Sequence, residues 1–253
     1  MKNRLYGLLI LFSLLSFYSV SFSVDFSIQP IRLYVSPKKN TAVFEITNLT
    51  DKKTIRVETE IKKWDQDENG KFILEDTEDA IVVPPYIELA PKQRQLIKLA
   101  YLGSFDGNVQ KAYRLFVKQI PDEIEVEKNP KKIKTAIQIV INISVPVFVN
   151  PPNTELKYNL SFIPLEVSKE KIVLQVKNSG NAFARIIRAT LYKGDKKIYS
   201  NDYAFYILPE KNVKFVIKNM QQEDKKIKVS TFNELPDKIV ITLEDGKEYT
   251  VNL

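Results

Sequence analysis

Residues 133–149 read Ile133-Lys134-Thr135-Ala136-Ile137-Gln138-Ile139-Val140-Ile141-Asn142-Ile143-Ser144-Val145-Pro146-Val147-Phe148-Val149. Every odd position is β-branched. Successive side chains of a strand point to opposite faces, so the run predicts one strand with an apolar face and a mostly polar one. Fully extended it would span about 55 Å, far beyond the usual five or six residues. Periodicity alone also fits an ordinary last strand packed wholly into its own core. The length favours a division of labour. Val145–Val149 is expected to pack at home, while Ile133–Ile143 lies on a sheet edge, a place that Pro146 suits because it lacks a ladder donor. A long apolar edge is an aggregation hazard, and a protein that keeps one has a use for it in strand addition to a partner. Burying four Ile side chains there would contribute about 6 to 12 kcal/mol before ordering costs.

Outward from this run the same period recurs. Ile55, Val57, Thr59 and Ile61 alternate, as do Ile172, Leu174 and Val176 before the stop at Asn178-Ser179-Gly180-Asn181. No helical period competes, and short strands between Asn, Asp, Gly and Pro clusters predict an all-β chain of immunoglobulin-like sandwiches. At the C-terminus Ile239, Ile241 and Leu243 lead into Glu244-Asp245-Gly246-Lys247, and Tyr249, Val251 and Leu253 lead out. Asp-Gly at this position predicts a type I′ hairpin turn. Asn150-Pro151-Pro152-Asn153 interrupts the pattern and divides the chain into 24–150 and 151–253, each a usual sandwich size. Ahead of both, Lys2 and Arg4, the apolar run Leu5–Val20 and the small residues Ser21 and Ser23 predict a secretory signal cleaved near Ser23, and an exported chain without cysteine suits a bacterial periplasm. No later segment predicts membrane insertion.

Composition narrows the function. The 253 residues include neither His nor Cys, which removes Ser-His hydrolysis, His-ligated metal sites, thiol nucleophiles and disulfides. The net charge of +7 rests on Lys far more than Arg, and Lys is the poorer reader of phosphate and bases, so nucleic acid is not expected as a partner. Asp65, Asp67, Asn69 and Gly70 match the opening of a calcium-binding loop, but its twelfth position is Asp76 and the preceding run is strand-like, so a polar hairpin loop is expected. No catalytic constellation is found, and no enzyme activity, cofactor or metal is expected.

The chain resembles the periplasmic pilus-assembly chaperones of the chaperone-usher pathway. Phe26-Ser27-Ile28-Gln29-Pro30-Ile31-Arg32, Ala42 to Asn48, Trp64, Pro84-Pro85, Leu89-Ala90-Pro91 with Gln95, Tyr113-Arg114-Leu115, Gln119-Ile120-Pro121 and Val145-Pro146-Val147-Phe148-Val149-Asn150-Pro151 carry the resemblance. The Pro-Val-Phe-Val ending is similar to the archaic branch, and the modest loop before Ala136 to a short-loop type. The resemblance implies two immunoglobulin-like β-sandwich domains set at an angle around a cleft. It implies donor-strand complementation: the chaperone lends alternating apolar side chains to a pilus or fibre subunit, which it folds, caps and delivers to an outer-membrane usher. Ile137, Ile139 and Ile141 would be the donors, with Ile133 and Ile143 as extensions. Arg32 would anchor the subunit's C-terminal carboxylate, a task suited to a guanidinium fork. The family's second cleft cation, a Lys, falls on Pro146. Some members self-associate when free. The competing class is an exported immunoglobulin-like adhesin or fibre subunit, which would accept a strand rather than donate one.

Overall fold

The computed structural model describes residues 25–121, 140–223 and 226–253. Among these residues all regular structure is β, in nineteen strands. The first half holds β1 (Phe26–Gln29), β2 (Leu33–Val35), β3 (Thr41–Asn48), β4 (Ile55–Gln66), β5 (Phe72–Asp76), β6 (Ala80–Val83), β7 (Tyr86–Leu89), β8 (Arg94–Tyr101), β9 (Lys111–Ile120) and β10 (Asn142–Val149). The second holds β11 (Leu160–Val167), β12 (Ile172–Asn178), β13 (Ala184–Lys193), β14 (Lys196–Ile207), β15 (Asn212–Ile217), β16 (Asn219–Glu223), β17 (Lys226–Ser230), β18 (Lys238–Leu243) and β19 (Glu248–Asn252).

Two sandwiches result. In the first, the sheet β1-β3-β8-β6 faces β2-β10-β9-β4-β5, with β7 also paired to β4. In the second, β11-β12-β15 faces β14-β13-β18-β19, and β16 and β17 form a separate hairpin. Alternation supplies each core. Ala42, Phe44 and Ile46 of β3, Val117 and Leu115 of β9, and Val145, Val147 and Val149 of β10 are buried together, while Leu174, Val176, Ile186, Ile239 and Ile241 are among those filling the other core. A third, smaller cluster joins the sandwiches: Trp64, Ala112 and Phe148 from the first meet Tyr206 and Leu208 from the second, with Phe183 packed against them.

Each core is closed by one buried Asn. The Asn48 amide donates to the carbonyls of Lys53, Leu89 and Ala90, and its oxygen accepts from the Thr50 backbone N–H. The Asn178 amide donates to Ala182, Ile207 and Leu208, and its oxygen accepts from Asn159 and Gly180. Both lie at the end of a strand, where the ladder stops and backbone carbonyls would otherwise be buried unpaired.

Two expectations need correction. The C-terminal turn is not type I′, which requires positive φ at both central residues; of the two, only Gly246 has it, at 86°. Gly246 N–H bonds the Leu243 carbonyl and Leu243 N–H bonds the Lys247 carbonyl, so the loop is a type I turn followed by a glycine bulge. The second correction concerns the long strand. Among the described residues of the run, regular pairing begins at Asn142, and Val140 and Ile141 precede it without strand geometry, although Gln119 N–H still bonds the Ile141 carbonyl. Ile133, Ile137 and Ile139 lie outside the described residues.

Candidate functional site

The first sandwich brings Arg32 to the interface through a change of sheet. β1 pairs with β3 in one sheet and β2 pairs in parallel with Val147–Val149 of β10 in the other, so the chain crosses between them at Pro30-Ile31-Arg32. Arg32 therefore sits at the rim, facing the second sandwich. One of its terminal nitrogens donates to both oxygens of Glu244, at 2.9 and 2.8 Å, and to the Tyr206 hydroxyl at 2.9 Å. The other donates to the Tyr34 hydroxyl at 3.3 Å. Burial disfavours the charge of Arg32, but these hydrogen bonds outweigh it and hold its pKa above the ordinary value.

Arg32 has company. Its guanidinium, that of Arg114 and that of Arg185 all lie 5.3 to 5.6 Å from the Tyr206 ring centre. Arg114 is stacked over Trp64 at 3.9 Å and Phe72 at 4.3 Å, distances at which a cation is attracted to an aromatic face. Its residue is only 6% exposed, and burial pushes its pKa down to about 10, so it stays cationic at neutral pH without a carboxylate partner among the described residues. The Nε–H groups of all three arginines and the indole N–H of Trp64 are buried without an acceptor among the described residues. Native structures leave few such donors, and here four of them lie around the Tyr206 ring.

The surrounding frame is closely packed. Phe148 stacks on Phe183 with ring centres 3.9 Å apart and planes at 11°. Trp64 meets Tyr206 edge-on at 5.5 Å. Buried Gln66, at the end of β4, clamps the two sandwiches: its amide donates to the Tyr206 carbonyl and its oxygen accepts from Leu208 N–H, both at 2.8 Å. The loop that resembled a calcium site is part of this junction. Asp67 spends its carboxylate on the backbone N–H groups of Asn69 and Lys71, Glu68 accepts from Lys214 N–H, and a Cβ on Gly70 would fall 2.6 Å from the Phe205 ring. Beside Arg32 and Glu244 a cavity of about 340 Å³ opens, lined also by Tyr158, Phe183 and Arg185.

Next to this cleft runs β10. It has β9 on one side along its whole length, but β2 covers its other side only at Val147–Val149. From Ile141 to Pro146 that side carries no strand among the described residues. Val145, Val147 and Val149 are buried in the home core, as expected. Ile141 and Ile143 are half-buried and already lean on that core, so their apolar surface is only partly available. Phe148, on the face expected to be mostly polar, is the plug between the sandwiches.

Among the predicted site residues, Arg32, Ile141 and Ile143 are described, and they flank one region of β2 and β10. Pro146 stands opposite Arg114 on the adjacent strand, which puts a cation one strand away from where sequence matching expected one. Arg114, Arg185, Tyr206 and Glu244 were not predicted as site residues. Arginine scarcity was an available signal: the chain has seven against a large excess of Lys, and three of the seven converge on Tyr206.

The family model for pili and flagellar-assembly chaperones, PapD N-terminal domain, matches residues 25–155. No curated protein matches the sequence. Among solved structures, the fold is similar to a chain of the CsuC-CsuE chaperone and tip adhesion subunit complex from the archaic Csu pili of Acinetobacter baumannii, at 20% identity and a TM-score of 0.61, covering 90% of this chain and 97% of that one. It is similar to a chain of the SafA pilin and SafB chaperone complex of Salmonella enterica, at 14% identity and 0.60, covering 92% and 99%. The YadV chaperone gives 18% and 0.59, covering 91% and 100%.

Proposed function

Because the chain belongs to the family of pili and flagellar-assembly chaperones, and so is a pilus-assembly chaperone of the periplasm that folds and caps subunits and passes them to an outer-membrane usher, we propose which of its own residues do that work. The open side of β10 and the run before it serve as the donor strand. Ile137, Ile139, Ile141 and, as extensions, Ile133 and Ile143 enter the groove of a subunit that lacks its last strand. The subunit's C-terminal carboxylate enters the cleft beside Arg32, which sets the register of the added strand. Arg114 supplies the second positive charge, in place of the Lys that Pro146 replaces.

The observation that carries this reading is the group of buried, acceptor-less N–H donors on Arg32, Arg114, Arg185 and Trp64 around Tyr206. A carboxylate and the adjoining backbone carbonyls of an extended peptide are the acceptors such a cleft lacks. Charge-assisted N–H to carboxylate bonds are stronger than neutral ones, about 1.5 to 3 kcal/mol each, so two anchors suffice to select one register. Export by the leader, with cleavage near Ser23, belongs to the same proposal.

The test is co-expression with candidate subunits and purification from the periplasm, for the parent chain, Ile139→Asp and Arg32→Ala. Subunit is expected to accompany the parent chain and to be lost with either substitution. Survival of the complex in Ile139→Asp would leave β10 as ordinary core and turn attention to an adhesin or fibre-subunit role.

A further inference from the structure

We infer that Glu244 is an internal carboxylate that occupies the Arg32 anchor in the free chaperone and is displaced by the incoming C-terminal carboxylate, so that it sets which partners the cleft accepts. This rests on the reading of Arg32 as the anchor.

Glu244 arrives from far away in sequence. It is the first central residue of the turn between β18 and β19, and its backbone is tied down: Glu244 N–H bonds the Arg185 carbonyl at 3.0 Å. Only the side chain is free to choose a partner. Two cations compete for it, since Oε1 lies 2.9 Å from Arg32 and 3.4 Å from an Nη of Arg185. Letting go of Arg32 therefore does not strand a charge, because Arg185 stands ready to hold it.

The contact with Arg32 is also a provisional one. The preferred arrangement of arginine and carboxylate is a pair of parallel bonds from two nitrogens. Glu244 instead places both oxygens on one nitrogen, and the Arg32 Nε–H beside it is buried without an acceptor. A ligand that reached Nε and its neighbour together would gain a bond that Glu244 does not make. Glu244 keeps 38% of its side chain in solvent against 16% for Arg32, so the carboxylate can return to water while the guanidinium cannot. The adjoining cavity of about 340 Å³ offers the approach. With a carboxylate ligand in place, Glu244 and the ligand share Arg32, Arg114 and Arg185, which leaves the cleft nearer to neutral than Glu244 alone does.

An occupied anchor discriminates. A neutral chain end, such as a C-terminal amide, does not repay the lost ion pair, and weak carboxylates are turned away. The probe is N-acetyl-glycyl-tyrosine as the free acid and as the C-terminal amide. Each is titrated into the chain purified from the periplasm while the arginine Nε–H resonances are followed by NMR, with the amide spectrum as the check of folding. Glu244→Gln, which keeps shape and removes charge, is expected to bind the acid at least about tenfold more tightly than the parent chain, the equivalent of one charge-assisted hydrogen bond, and to discriminate less against the amide. Adding Arg32→Ala to that variant is expected to abolish the gain. If Glu244→Gln binds the acid no better than the parent chain, or does not bind it, Glu244 is no competitor and the inference falls. If the double variant binds as well as Glu244→Gln alone, Arg32 is not the anchor, and the reading beneath it falls as well.

Discussion

The two sandwiches use one folding device and put different things beside it. Asn48 and Asn178 each close a core in the same manner, with one amide donating to three carbonyls at the end of a strand. At their exposed margins the sandwiches diverge. β10 and β11 are both eight-residue strands carrying one proline, β11 at the edge of its sheet and β10 open on one side from Asn142 to Pro146 among the described residues; yet β11 is broken in mid-strand by a bulge between Pro164 and Glu166, while β10 pairs with β9 without interruption. A bulge with a proline protects an edge against a further strand, even though Ile163, Leu165 and Val167 stand exposed along it. An unbroken edge invites one. The placement of irregularity, more than apolar content, separates the strand proposed as donor from the strand that is shielded.

Phe148→Ala breaks the comparison most severely, because this ring belongs to neither core but joins them. Loss of its stack on Phe183 and its contact with Trp64 is expected to cost about 3 to 5 kcal/mol and to split thermal unfolding into two transitions, read by calorimetry. A single transition at unchanged temperature would mean that the sandwiches are held together elsewhere. Asn48→Ala and Asn178→Ala sharpen the likeness. Each leaves several buried carbonyls unpaired and should lower stability by about 2 to 4 kcal/mol in urea titrations, with only Asn48→Ala acting on the sandwich that contains β10. Clearly unequal costs would show that the shared geometry does unequal work.

Arg114→Met separates function from stability. Methionine fills the slot over Trp64 and removes a buried cation without a carboxylate partner among the described residues, so stability should hold or rise by about 1 kcal/mol, while capture of subunit falls at least about tenfold. Capture at the parent level removes Arg114 from the anchor. The smallest effect is electrostatic. Hydrogen bonds from Lys118 and Lys62 hold the Glu60 carboxyl below its ordinary value of 4.5. Its contribution is full above that value and fades as the pH falls through the depressed one. Glu60→Gln is therefore expected to cost less than about 1 kcal/mol at pH 7 and nothing at acid pH, by urea midpoints.

The strands around Ile55–Ile61 and Ile172–Val176, the Val145–Val149 end of β10 and the place of the C-terminal hairpin were legible because side chains alternate in a strand, and burial follows that alternation. The alternation of Ile239, Ile241 and Leu243 is enough to place β18. The form of the turn that follows was not, since Asp-Gly serves both a type I′ turn and a type I turn with a bulge, and only the backbone angle of Asp245 separates them. Phe148 shows the same limit on a larger scale. Its face of β10 looked wet from within one sandwich, and at Phe148 it is dry because the second sandwich covers it there.

By itself, then, the sequence determined an all-β chain with two apolar cores, one unusually long alternating run, an Arg at the start of the first sandwich and the absence of His and Cys chemistry. These are properties of local pattern and composition, which need no knowledge of what lies opposite. Only the tertiary structure decided that Arg32 meets Glu244 across 212 positions, that Arg114 lies on Trp64, and that three arginines surround Tyr206. Period-two alternation reports which face of a strand a residue occupies, and the identity of its neighbour depends on how the sheets stack and how the two sandwiches turn toward each other.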